Sequence, residues 1–275
     1  MNFIIKTIFL TILSSVVLFG FSDIDFDGVD DSIDKCPNTP ITYLVDENGC
    51  SIKSVIVDQY FDVIFGVSYS QLNYRSNKKT DTYTTTAQVD YYRGNFTLQF
   101  QSSYFRSDGS RRSDKGWNDT SVSANYKWKL ASDFTVRAGI GLVLPTYDTG
   151  YSNNKTDYTV NLNCNYKVEE WSFFAGYNYM LVGDNDVITK NEIIRYQNTD
   201  AFNLGVGYDF TPKLNASISY YQSDSIYRDV ETIKNISLYG FYSIDSNWFT
   251  TISYAKGLTD STSDNYVELR VGYYF

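Results

Sequence analysis

Residues 23–37 read D-I-D-F-D-G-V-D-D-S-I-D-K-C-P. Counted from Asp23, carboxylates fall at loop positions 1, 3, 5, 9 and 12, and Gly28 stands at position 6. A hard divalent cation needs this pattern. Asp23, Asp25 and Asp27 alternate and can converge on one ion, Gly28 permits the sharp turn, the Val29 carbonyl can point inward, and Asp34 closes the shell. Asp31 would act directly or through water. The expected chemistry is Ca2+ binding, and Ca2+ is the cofactor expected of this chain. An acidic solvated spacer is the alternative.

The same stretch, D-x-D-x-D-G-x-x-D-x-x-D-x-C-P, resembles a thrombospondin type 3 repeat, and its continuation N-T-P…V-D-E-N-G-C resembles the periplasmic linker of OmpA/OprF-type porins. The resemblance implies calcium ligands at the matching Asp positions and a disulfide between Cys36 and Cys50, as an oxidising compartment allows. Such a crosslink closes a loop of about fifteen residues and contributes about 3 kcal/mol in the chain-entropy picture. Here the repeat is single and precedes the remaining elements.

Ahead of the repeat, in residues 1–22, Lys6, the apolar stretch Ile8–Phe19 and the small residues Gly20 and Ser22 read as a Sec-type signal peptide cleaved near Ser22. An uncleaved membrane anchor is the alternative, disfavoured by the shortness of the apolar stretch. No apolar run of roughly eighteen residues follows, so any membrane entry beyond that point is by strands. The expected division is 1–22 signal peptide, 23–53 calcium-binding segment and 54–275 barrel.

Twenty-six Tyr and eighteen Phe in 275 residues suit strands with one apolar and one polar face. The formal net charge of −9 makes nucleic acid an unsuitable partner. From about residue 58 onward, apolar and polar residues alternate over about twelve segments of barrel-strand length. Phe61, Val63, Phe65, Val67 and Tyr69 share one face of the first. In the sixth, Tyr158, Val160, Leu162, Cys164 and Tyr166 alternate with Thr159, Asn161, Asn163, Asn165 and Lys167. Short connections at Arg93–Asn95, Ala131–Asp133, Glu169–Glu170, Thr211–Lys213 and Asp245–Asn247 alternate with longer ones, such as 107–119 and 183–200.

The fold class expected is therefore all-β, an antiparallel transmembrane up-and-down β-barrel of about twelve strands, preceded by the short calcium-loop segment. A soluble sandwich would also alternate, but would not need two aromatic belts. One belt is expected at Tyr91, Phe96, Trp128, Phe134, Tyr166, Trp171, Phe210 and Trp248, beside the short turns. The other is expected at Tyr69, Tyr83, Tyr104, Tyr158, Tyr220 and Tyr254. The last strand, with Tyr273 and the terminal Phe275, resembles the C-terminal signal read by the barrel assembly machinery. That machinery, outer-membrane lipid and small solutes are the expected partners, in the cell outer membrane with both termini periplasmic.

Inward positions include Asp62, Asp90, Lys127, Arg137, Asn161, Asn163, Lys167, Glu268 and Arg270, a water-holding lining of mixed charge. The stretch G-L-V-L-P-T-Y-D-T-G around Leu144 and Pro145 resembles meta-pathway phenol-degradation transporter-like barrels, which implies passage of small hydrophobic compounds. Histidine is absent, which removes Ser/His hydrolysis and His-dependent protease chemistry. The expected function is a porin-like passive channel rather than an enzyme, with a non-conducting structural anchor or a surface adhesin as alternatives.

Overall fold

In the computed structural model the described residues are 23, 25, 28–31, 33–37, 39, 45–51, 59–73, 79–109, 113–147, 155–188 and 193–275. The signal peptide expected over 1–22 lies outside them, as does Asp27. The chain forms two units, Met1–Val57 and Asp58–Phe275.

The second unit is built of antiparallel strands. They are β1 (Gln59–Leu72), β2 (Thr80–Arg93), β3 (Phe96–Gly109), β4 (Ser113–Trp117), β5 (Thr120–Lys129), β6 (Phe134–Leu144), β7 (Asp157–Val168) and β8 (Trp171–Leu181). After these come β9 (Val187–Ile188), β10 (Ile193–Ile194), β11 (Thr199–Thr211), β12 (Leu214–Ser223), β13 (Ile233–Ser243), β14 (Trp248–Gly257) and β15 (Asn265–Tyr274). Leaving aside β4, β9 and β10, twelve strands pair in chain order, and β1 pairs with both β2 and β15, so the ladder closes. Closure satisfies every strand edge, as a hydrocarbon environment requires. The final residue takes part: Phe275 N–H donates to the Phe61 carbonyl at 2.8 Å.

Burial in this unit is inverted relative to a soluble sheet. Ile140 is 65%, Phe65 62% and Leu204 53% exposed, whereas Asp62 (5%), Gln88 (7%) and Glu268 (8%) are enclosed. A soluble sandwich would bury the first set and wet the second. The alternation expected from the sequence holds strand by strand: Asn161, Asn163 and Lys167 share the inward phase of β7, with Tyr158, Val160 and Leu162 outward. The single thiol among the described residues, Cys164, lies on that outward phase and is half-buried.

Both aromatic belts are present. Beside the short turns, Phe61–Tyr91, Tyr126–Trp128, Phe134–Tyr166, Trp171–Tyr208 and Trp248–Tyr273 are in ring contact. At the long-loop end, Tyr69–Tyr83, Tyr104–Trp117 and Phe202–Tyr220 are. The short turns use left-handed backbone at Gly94 (φ 56°) and, without a glycine, at Glu169 (φ 53°).

Two expected long connections carry strands instead. Within 107–119, β3 continues to Gly109 and pairs with β4, from Tyr104↔Trp117 to Asp108↔Ser113. Within 183–200, β9 and β10 pair through Ile193↔Ile188, and β11 has already begun. Alternation misses such extensions because a ladder outside the hydrocarbon needs no apolar face, so Ser107–Lys115 is polar on both sides.

In the first unit, Cys36 and Cys50 are joined by a disulfide across a separation of 14 residues. Asp46 organises the turn within that loop, its Oδ1 accepting from Asn48 N–H at 2.8 Å and Cys50 N–H at 3.1 Å. These backbone donors hold the Asp46 carboxyl below its usual range. A lowered folded value means that its stabilising contribution is complete above the ordinary carboxylate range and is lost as pH falls through the folded value. The Asn48 and Cys50 amide resonances are expected to shift together on acidification below about pH 4, and not to do so in an Asp46→Asn variant. NMR titration of the detergent-solubilised chain reads this directly.

Candidate functional site

Two chemically different walls line the barrel. The first is built on β1, β2 and β15. Register places Asp62 opposite Asp90, and Gly66 opposite Arg270. Gly66 is required here: a Cβ at that position would stand 2.9 Å from Arg270 Cγ. The Arg270 side chain therefore lies along the wall, where Nη1 donates to Gln88 Oε1 at 3.0 Å and Nη2 pairs with Glu268 Oε1 at 2.9 Å. Gln88 Nε2 in turn donates to Asp90 Oδ2 at 2.8 Å, and the Tyr92 hydroxyl reaches the same oxygen at 3.4 Å. Arg270 thus supplies the positive charge of a chain that otherwise holds Glu268, Asp90 and Asp62.

Of the expected lumen residues, Asp62, Asp90, Glu268 and Arg270 come together in this network. Lys167 belongs to a different group, with Nζ 2.7 Å from Asp209 Oδ2, while Asn215 Nδ2 donates to Asp209 Oδ1 at 2.6 Å. Lys127, Arg137 and Asn163 form a row across β5, β6 and β7, and Asn161 sits one inward position along from Asn163, which donates to it at 3.2 Å. Tyr60, Tyr92 and Tyr274 also face inward near the short turns, where Tyr60 stacks on Tyr92 at 4.4 Å and Tyr274 touches Phe249 at 4.7 Å. Sequence reasoning missed them because aromatics beside the turns read as belt. Their even-numbered phase, shared with Asp62, Asp90 and Glu268, was the available signal.

The second wall runs over β8 and β11–β14, reaches Tyr266 of β15, and borders an open cavity of about 940 Å³. Its lining carries the hydroxyls of Ser172, Ser217, Ser219, Ser237 and Ser253, the amides of Asn203, Asn215 and Asn235, and the rings of Phe174, Tyr221, Tyr239 and Tyr266. No Asp, Glu, Lys or Arg is among the lining residues. The serines were not singled out, although their every-second-residue spacing on β12 was visible.

Inward glycines do not leave empty volume. The Phe249 ring lies across Gly272, its register partner, and the Phe174 ring lies across Gly205. A Cβ on Gly205 would collide with Phe174 Cζ and Cε2. We expect Gly205→Val to lift Phe174 into the cavity, at an overpacking cost of about 1–3 kcal/mol. Chemical denaturation gives that cost, and reduced conductance of the reconstituted variant would report the narrowed lumen. A conductance equal to the unsubstituted barrel would show that Phe174 has another place to go.

In the first unit, Gly28 has φ 94° and its N–H donates to Asp23 Oδ2 at 3.0 Å, while Thr39 N–H donates to Asp25 Oδ2 at 2.6 Å. The other oxygens, Asp23 Oδ1 and Asp25 Oδ1, are buried with no hydrogen-bond partner among the described residues. Buried, unpaired carboxylate oxygens are costly, and a bound cation offsets that cost. Asp34 instead accepts from Cys36 N–H at 2.7 Å. Among the described residues no three acidic or sulfur-bearing side chains gather as an ion-binding group, with Asp27 outside that set.

A closed ladder with a polar interior and an apolar, doubly belted exterior defines an outer-membrane β-barrel of porin-like build. The chain belongs to the family described as the MetA-pathway of phenol degradation, which matches residues 56–275. The fold is similar to an outer membrane channel from Pseudomonas putida F1, with a TM-score of 0.67, 16% identity and coverage of 81% of this chain and 97% of that one. It is also similar to the NanC porin (TM-score 0.51, 18% identity, 78% and 98% covered). A third likeness is to the translocator domain of the autotransporter NalP from Neisseria meningitidis (TM-score 0.51, 11% identity, 79% and 88% covered). Over 55 residues, 20% of the chain, it is 44% identical to Outer membrane porin F of Pseudomonas aeruginosa, and this match spans 16% of that protein's length. One fold thus carries channels and a translocator, and use must be read from the lumen.

Proposed function

We propose that the protein is a passive channel for small solutes across the outer membrane. The observation that carries this reading is the cavity of about 940 Å³ along the β8 and β11–β14 wall. A barrel whose interior were crosslinked throughout, the anchor alternative, would have its polar side chains spent on one another, as those of the β1, β2 and β15 wall are. The family's description, with its reference to phenol degradation, agrees with a role in passing small organic compounds.

In this reading the short turns and both termini lie on the periplasmic side, the usual arrangement when short turns face the periplasm. The apolar outer face meets outer-membrane lipid, and Tyr273 and Phe275 form the signal for the barrel assembly machinery. The first unit is a periplasmic segment of thrombospondin type 3 character that holds Ca2+ through Asp23 and Asp25, with Asp27, Val29, Asp31 and Asp34 completing the shell. The unpartnered oxygens of Asp23 and Asp25 support it.

Single-channel recording of the refolded protein in a planar bilayer tests the proposal. Discrete conductance steps that change on replacement of Glu268 and Arg270 are expected. A silent bilayer from folded, heat-modifiable protein would reject the channel and favour the anchor. Calcium titration by calorimetry tests the first unit separately, with loss of the binding heat expected for Asp23→Asn/Asp25→Asn.

A further inference from the structure

The cavity on the second wall has a composition that a plain water-filled pore does not require. We infer that it is a binding groove for short, uncharged oligosaccharides. This rests on the channel reading above and specifies what the channel selects.

On β12 the inward residues Asn215, Ser217, Ser219 and Tyr221 follow one another at every second position. At about 3.3 Å per residue they extend the groove over about 20 Å, longer than a single sugar ring. Its volume, about 940 Å³, lies near the upper end of ligand pockets, which run to about 1,000 Å³. The next strands complete the pattern. Ser219 stands opposite Ser237, and Tyr239 stands between Ser217 on one side and Ser253 on the other. A ring flanked on both neighbouring strands by hydroxyls offers what a pyranose needs: an apolar platform for its C–H face, and donors and acceptors at its hydroxyl edge.

The charge of the lining argues against ionic solutes. An anionic solute would find no Lys or Arg among the lining residues, and a cation no carboxylate. Two ion pairs adjoin them, Lys167–Asp209, reached through Asn215, and Glu268–Arg270, with Glu268 opposite Ser253, and each is neutral as a unit. A hydrocarbon would strip water from seven serine hydroxyls, the Thr262 hydroxyl and three amides without replacing the hydrogen bonds lost, a cost a hydroxylated solute avoids.

The test uses the full-length protein in a detergent without a sugar headgroup, with three probes: maltotriose, trigalacturonate and benzyl alcohol. Calorimetry is expected to show maltotriose binding, weakened about tenfold or more by Tyr239→Ala, and little heat with the other two. Ser219→Val gives a second variant should Tyr239→Ala not fold, folding being read from heat-modifiable gel mobility. Trigalacturonate or benzyl alcohol binding as well as maltotriose, or maltotriose binding indifferent to both substitutions, would overturn the inference. Bilayer recording separates the two readings. Maltotriose binding with a silent bilayer would leave the groove standing and remove the channel, whereas steady conduction with no maltotriose binding would do the reverse.

Discussion

Arg270→Met is expected to destabilise the barrel by about 3 kcal/mol, at the lower end of what breaking a buried ion pair costs. The size follows from what the substitution leaves behind. The Glu268 side chain is 11% exposed, and Asp90 and Asp62 face each other across β1 and β2 with Arg270 as the cation of that network. Without the guanidinium, Gln88 loses its donor and the carboxylates their compensation. Urea unfolding followed by tryptophan fluorescence measures the loss. The double variant Glu268→Gln/Arg270→Met should recover part of it, because removing both charges is cheaper than stranding one. Equal loss in the single and double variants would show that Arg270 acts by packing rather than by charge.

Replacing Cys36 with Ser should cost the first unit about 3 kcal/mol, the loop-closure entropy of a crosslink of this span. The loop is held by the Asp46 turn, the Lys35–Asn48 contacts and Thr39, whose hydroxyl bridges the Cys36 and Gly49 carbonyls at 2.8 and 2.9 Å. The expected signature is rapid tryptic cleavage after Lys35 in the variant and in reduced wild type, with slow cleavage in the oxidised protein. The barrel's heat-modifiable mobility should not change, since both cysteines lie within the first unit. Equal cleavage rates with and without the crosslink would place the stability of this loop in its hydrogen bonds.

The barrel was legible because a period of two is local. Each of Tyr158 to Val168 shows its face by its parity alone, and summing that signal over strands yields the count, the turns and both belts. The register that pairs Asp62 with Asp90, and Lys127 with Arg137 and Arg137 with Asn163, keeps these residues on one phase of the ladder, as their parity implies. Which of the inward residues meet was not legible. Gln88 and Arg270 are 182 residues apart, and their contact depends on the register with which the first and last strands close. Nor does parity say that Phe249 lies down on Gly272 or Phe174 on Gly205, because a glycine's empty side is filled by whichever residue register places across from it. The extension of β3 past Arg106 into its pair with β4 was hidden by the polarity of its residues.

The placement of the Arg270 network also bears on the order in which the barrel forms. Its members sit on β1, β2 and β15, so the network spans the junction between the two ends of the chain. Hairpins such as β7–β8 can form while the sheet is still open, but this latch has no counterpart until the last strand arrives. Contacts of such long sequence separation are paid for late, so their contribution falls mainly on the rate at which the finished barrel comes apart rather than on the rate at which its hairpins assemble. Opening this junction parts Arg270 on β15 from Gln88 and Asp90 on β2, so the open form strands carboxylates that the closed form neutralises.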